Sequence, residues 1–102
     1  MRVLYKEPGK EPRSMIIPNT LKMLQDLVGG YIEAHKIADN VVLICNEDGK
    51  RLGLEPNFFV GAFQDVIVGP VIIAGENGDV FESLSDEDAN LIMRILRGGF
   101  EV

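Results

Sequence analysis

The chain has 102 residues, enough for one hydrophobic core and not for two, so residues 1–102 read as a single domain. Apolar residues make up 46% and charged residues 25%, a globular composition that argues against intrinsic disorder. The formal charge is −6 with the ten Lys and Arg scattered, which argues against binding a nucleic-acid backbone, since that needs basic surface to displace counterions.

In chain order, Val3–Tyr5 and Ser14–Ile17 read as two short strands. Between them Pro8-Gly9 suits a type II turn, giving an N-terminal hairpin. The stretch that follows organises the rest. Pro18 ends the second strand, Asn19 is placed as a helix N-cap, and Leu21, Leu24 and Val28 recur at helical spacing with Leu27 widening the stripe. Gly29 suits the left-handed closing residue of that helix, and Gly30 a sharp turn into the third strand, Tyr31–Lys36. On that strand Ile32, Ala34 and Ile37 are expected on one face, and Tyr31, Glu33 and His35 on the other. So short a connection requires the helix to pack back across the sheet.

Ala38-Asp39-Asn40 gives a turn, and Val41–Cys45 a fourth strand, apolar on both faces and therefore interior. Asp48-Gly49 predicts a hairpin with a return arm over Arg51–Leu54. Within residues 55–65, Pro56 suits the first turn of a short helix, with Phe58, Phe59 and Phe63 as a lid on the core. Gly69-Pro70 reads as a bulge or crossing point between Val66–Val68 and the buried strand Val71–Ala74. Asn77-Gly78 is a further tight turn, with Val80-Phe81 as its return arm. Ser85 caps a last helix whose first turn holds Asp86, Glu87 and Asp88, favoured there by the helix dipole. Ala89, Ile92, Met93 and Leu96 form its apolar stripe, Arg94 and Arg97 complement its end, and Gly98-Gly99 stop it.

These elements define an α+β fold: a mostly antiparallel sheet of about five or six strands with two helices packed on one face. The expected core is Leu21, Leu24, Val28, Ile32, Val42, Ile44, Ile67, Ile72, Ile92 and Leu96. Cys45, the only cysteine, sits in an apolar run and reads as an inert core thiol. The first residues lack an apolar signal-peptide region, and no apolar run reaches the ~18 residues that span a membrane, so a cytoplasmic setting without membrane contact is expected. One histidine and one cysteine are too few for a zinc site, and the Asp86–Asp88 run is explained by capping; no metal or cofactor is expected.

Three segments in order, Pro18–Leu21 through Leu27–Glu33, Asn46–Gly49 through Leu52–Asn57, and Ile67–Ile72, resemble the DUF3846 family. These are small domains of unknown function in bacteria, their phages and mobile elements, and some large algal viruses. The resemblance covers roughly Met1 to Leu84, with the last helix similar only in kind. It implies a phage or mobile-element setting and a small regulator, and it implies no activity.

The polar groups singled out within those segments are Tyr31, Glu33, Asn46, Glu47 and Asn57, with His35 just beyond, and of these Tyr31, Glu33, Asn46 and Asn57 are the candidate site residues. The two asparagines have first the chemistry of turn caps, and as the alternative that of amides reading a small ligand or a peptide backbone beside Glu33. The leading reading is a binding or regulatory module for a protein partner or small ligand. The alternatives are a small acid–base enzyme using Glu33 and His35, two apart on one strand face, and an acidic mimic of nucleic acid.

Overall fold

A computed structural model describes residues 1–98. The elements are β1 (Arg2–Lys6), β2 (Arg13–Ile16), α1 (Leu21–Val28), β3 (Ile32–Ala38), β4 (Val41–Asn46), β5 (Pro56–Val60), a 3₁₀ turn (Gly61–Phe63), β6 (Asp65–Val68), β7 (Val71–Asn77), β8 (Val80–Glu82) and α2 (Asp86–Arg97). Six strands form one antiparallel sheet in the order β2-β1-β7-β4-β3, with β8 paired to the end of β7. The α+β architecture is the one the sequence implies. β4 is buried at every position and lies between β7 and β3, as its unbroken apolar run requires. At the N-terminal hairpin, Gly9 is left-handed (φ +72°) and the Lys10 N–H donates to the Glu7 carbonyl at 3.1 Å, which is the expected type II turn.

The alternation of side chains along the central strands divides the core in two. Leu4, Val41, Leu43, Cys45, Val71 and Ile73 face one way and pack with Ala89, Ile92 and Leu96 of α2. Val3, Tyr5, Val42, Ile44, Ile72 and Ala74 face the other way and pack with Leu24 and Val28 of α1. The helices therefore cover opposite faces of the sheet, not one face as the sequence suggested. The reason is that β4 and β7 are apolar on both sides, and each side needs its own cover. A separate two-stranded sheet, β5–β6, shares the α2 face through Val60 and Ile67.

Several local expectations are revised. Thr20, not Asn19, caps α1 by accepting from the Met23 N–H; Asn19 donates instead to the Phe81 carbonyl at 2.8 Å. Leu21 is 58% exposed and outside the core, and Ile32 is half-buried against it; the other expected core residues are buried. The hairpin after β4 does not form. Residues 47–54 wind through successive turns, with the Leu52 N–H donating to Asp48 and the Leu54 N–H to Gly49, so Arg51–Leu54 is not a strand. Pro56 begins a strand and not a helix: β5 pairs with β6, and β-branched and aromatic residues suit that pleated, half-buried surface. Phe58 and Phe63 still cover the core on the α2 face. The chain crosses from one sheet to the other at Gly69-Pro70. Ser85 caps α2 by accepting from the Asp88 N–H, with three carboxylates in the first turn; Gly99 lies outside the described residues.

Gly29 closes α1 in the left-handed conformation (φ +80°), its N–H donating to Gln25 at 2.8 Å. Gly30 is small for a different reason. A Cβ there would lie 2.9 Å from Nδ2 of Asn46. That amide is buried, donates to the Val28 carbonyl at 3.1 Å and accepts from the Asp48 N–H at 2.8 Å. It thus satisfies an orphan carbonyl at the end of α1 and starts the 47–54 turns. Replacing Asn46 with Ala leaves both partners unsatisfied and should destabilise the fold by about 1–3 kcal/mol. Gly30→Ala displaces the same amide and should cost a similar amount, read in both cases as a lowered midpoint of denaturant unfolding.

Candidate functional site

The site is built by strand register. In the β3–β4 pair Glu33 lies opposite Cys45 and His35 opposite Leu43, with a shift between Lys36 and Ala38 that leaves Ile37 as an extra residue. Residues two apart on a strand share a face, so Glu33 and His35 stand beside Cys45 on the face that also carries α2. Ile37 packs on this same face and not with Ile32, a correction to the expected pattern. His35 Nε2 lies 3.4 Å from Glu33 Oε1. One donor atom each from Glu33, His35 and Cys45 lie within 4.8 Å of one another. The His35 ring also packs on Phe63 from the 3₁₀ turn, with centroids 5.2 Å apart.

This cluster lines a cleft of about 320 Å³, bounded by the 46–51 turns and by β6. Four carboxylates line it, those of Glu33, Glu47, Asp48 and Asp65, against the cations Lys50 and Arg51. Both cations are already engaged. Lys50 donates to the two carboxylate oxygens of Asp65, and Arg51 pairs with Asp48 at 3.4 Å. The hydrogen bond from Lys50 holds the Asp65 carboxyl below its ordinary range. Among the described residues Glu47 makes no ion pair, and the salt-bridge partner of Glu33 is His35.

Burial is the main cause that pushes the Cys45 thiol up to about 11, with the nearby Glu33 charge adding to it and Lys50 opposing it. At neutral pH the sulfur is therefore a thiol, and His35 and Glu33 flank a group that is not primed as a nucleophile.

Of the residues singled out from sequence, Glu33 and Asn46 line this cleft together. Tyr31 is 68% exposed and lines a neighbouring shallow groove with Gln25, Asp26, Gly29 and Gly30. Asn57 lines neither. Its Nδ2 donates to the carbonyls of Lys6 and Gly69, at 2.9 and 2.8 Å, and ties β1 to the crossing between sheets. Its Oδ1 is buried and has no hydrogen-bond partner among the described residues. Sequence reasoning names Glu47 among the polar residues of the matching segments but overlooks Cys45, Lys50 and Asp65 as site residues. Cys45 was findable only from the bulge, because an unbroken two-residue hairpin would set Glu33 opposite Asn46.

A family model described as DUF3846, a domain of unknown function, matches residues 1–97, so the match runs through α2 and beyond the segments that carry the resemblance. No curated protein and no solved structure matches the chain. Among the described residues no helix is long and apolar enough to cross a membrane.

The raised thiol yields a linked pair of expectations. A thiol reagent at pH 8 should label native Cys45 slowly and the denatured chain rapidly. Because the folded value of about 11 lies above the ordinary 9.0, the thiol's stability contribution is whole below pH 9 and is lost as pH rises through 11. Unfolding free energy should fall more steeply across that window in the parent than in Cys45→Ala.

Proposed function

The chain belongs to the DUF3846 family of domains of unknown function, and on that premise we propose that it is a binding module holding a small cationic ligand in the cleft beside Glu33. The observation that carries this reading is the uncompensated negative charge of the cleft. With Asp48 and Asp65 matched by Arg51 and Lys50, Glu47 makes no ion pair among the described residues and Glu33 meets only the His35 imidazole, so both stand open to a cation. A volume of about 320 Å³ suits a ligand of few heavy atoms and stands at the lower end of small-molecule sites. Partly buried walls also strengthen the attraction of a carboxylate for a cation relative to open water.

In this reading Glu33 is the direct contact. Asn46 lines the cleft beside it, with its amide already committed to Val28 and Asp48. Tyr31 offers a second contact in the adjoining groove, and Asn57 holds the scaffold by its bonds to Lys6 and Gly69. A regulatory role in a phage or mobile-element system accompanies the proposal and rests on the family resemblance alone. The 3.4 Å contact between Glu33 and His35 favours a second reading, acid–base catalysis by that pair. It lacks an activated nucleophile, since Cys45 is held protonated.

The test is titration of ¹⁵N-labelled protein with putrescine, guanidinium and inorganic phosphate, followed by amide shifts. Saturable shifts centred on Glu33, His35, Asn46 and Glu47 are expected for a cation. Glu33→Gln should weaken that binding about 10–100-fold, the loss of a charged hydrogen bond worth about 1.5–3 kcal/mol. Preferential binding of phosphate, or no response to any cation, would overturn the reading.

A further inference from the structure

Resting on the reading of this acidic cleft as a cation site, we propose that its ligand is a divalent transition-metal ion of zinc type, held by the Glu33 carboxylate, His35 Nε2 and the Cys45 sulfur. The donor set is the first reason. One sulfur, one imidazole nitrogen and one carboxylate oxygen suit zinc and its neighbours, whereas magnesium and calcium take oxygen ligands. Two residues on one strand and one directly across from them supply the three donors from a single hydrogen-bonded ladder. Such placement on paired strands is more precise than placement on loops.

The geometry is the second reason. Zinc bonds of about 2.0–2.3 Å give tetrahedral edges of about 3.3–3.8 Å. The Glu33–His35 separation of 3.4 Å is already such an edge. The donor atoms of all three residues lie within 4.8 Å of one another, and the half-exposed side chains of Glu33 and His35 have room to close on the buried sulfur. Phe63 against the imidazole limits the swing of His35. Three protein ligands leave the fourth position facing the cleft, an open site able to take water or an exchangeable ligand.

Binding balances as an exchange. The metal ion takes the Cys45 sulfur as thiolate, and the thiol proton leaves to solvent. The bound ion then neutralises Glu33 and the thiolate together, relieving the repulsion that Glu33 exerts on a charged sulfur. The sequence offers one histidine and one cysteine, too few for a structural zinc site of the closed type; only their meeting with Glu33 in the fold makes a three-ligand open one.

The experiment is titration of the full chain with cobalt(II), followed by absorption, with zinc as competitor and magnesium as control. A thiolate-to-cobalt charge-transfer band in the near ultraviolet is expected at one ion per chain. Zinc should displace the cobalt and magnesium should not. Cys45→Ala should abolish the band. Because that variant removes a core group, His35→Ala and Glu33→Gln, which alter half-exposed side chains, are the decisive ones. Each should lower cobalt affinity at least about tenfold, the low end of the loss that even outer-sphere changes cause. Cobalt binding without the band, or affinity unmoved by both surface variants, would overturn the metal site. Putrescine titrated alongside separates the two readings: if it still binds at Glu33 the cation cleft stands without its metal, and if neither binds both fall.

Discussion

The site depends on one extra residue. β3 and β4 are joined by a tight turn, and Ala38 pairs with Val41, yet from Lys36 backwards the pairing is displaced by one. Since strand side chains alternate, a one-residue slip moves every side chain beyond it to the other face. Without the slip Cys45 would share a face with Ala34, and Glu33 would stand beside Asn46. With it, Glu33 and His35 stand beside Cys45, and Ile37 joins the α2 side of the core. Bulges of this kind commonly re-aim side chains near functional sites.

The same sheet explains why the cleft lies on one face and the helix-closing amide reaches it from the other. β4 and β7 are apolar on both sides, so α1 covers one side while α2 and the β5–β6 hairpin cover the other. Asn46 ends β4 at the boundary. Its amide bonds the last turn of α1, and its carbonyl oxygen shapes the turns that wall the cleft. Gly30 leaves the space that this amide occupies. One side chain therefore links the end of α1 to the wall of the cleft.

Two groups of carboxylates in the chain have different structural settings. Asp86, Glu87 and Asp88 sit at the positive end of α2, where the helix dipole and the Ser85 cap account for them. The carboxylates around the cleft have no such local explanation. Two are matched by Lys50 and Arg51, and the remainder set the electrostatic character of the site.

What the sequence determined by itself is what depends on near neighbours. The apolar run Val41–Cys45 implied a central strand, Pro8-Gly9 a type II turn, Gly29 a helix end, and Ser85 with its three carboxylates a helix start; each is present. The α+β class follows from those elements. The tertiary structure decided what depends on register and on which surfaces remain to be covered. It set α1 and α2 on opposite faces, turned Pro56–Val60 into a strand against β6, and left Arg51–Leu54 unpaired. It also divided the four candidate residues, placing Glu33 and Asn46 in the cleft, Tyr31 in the next groove and Asn57 in the scaffold. No local pattern announces a bulge at Ile37, because its cost and benefit are settled by the strands it must join. For that reason the meeting of Glu33, His35 and Cys45 became visible only in the fold.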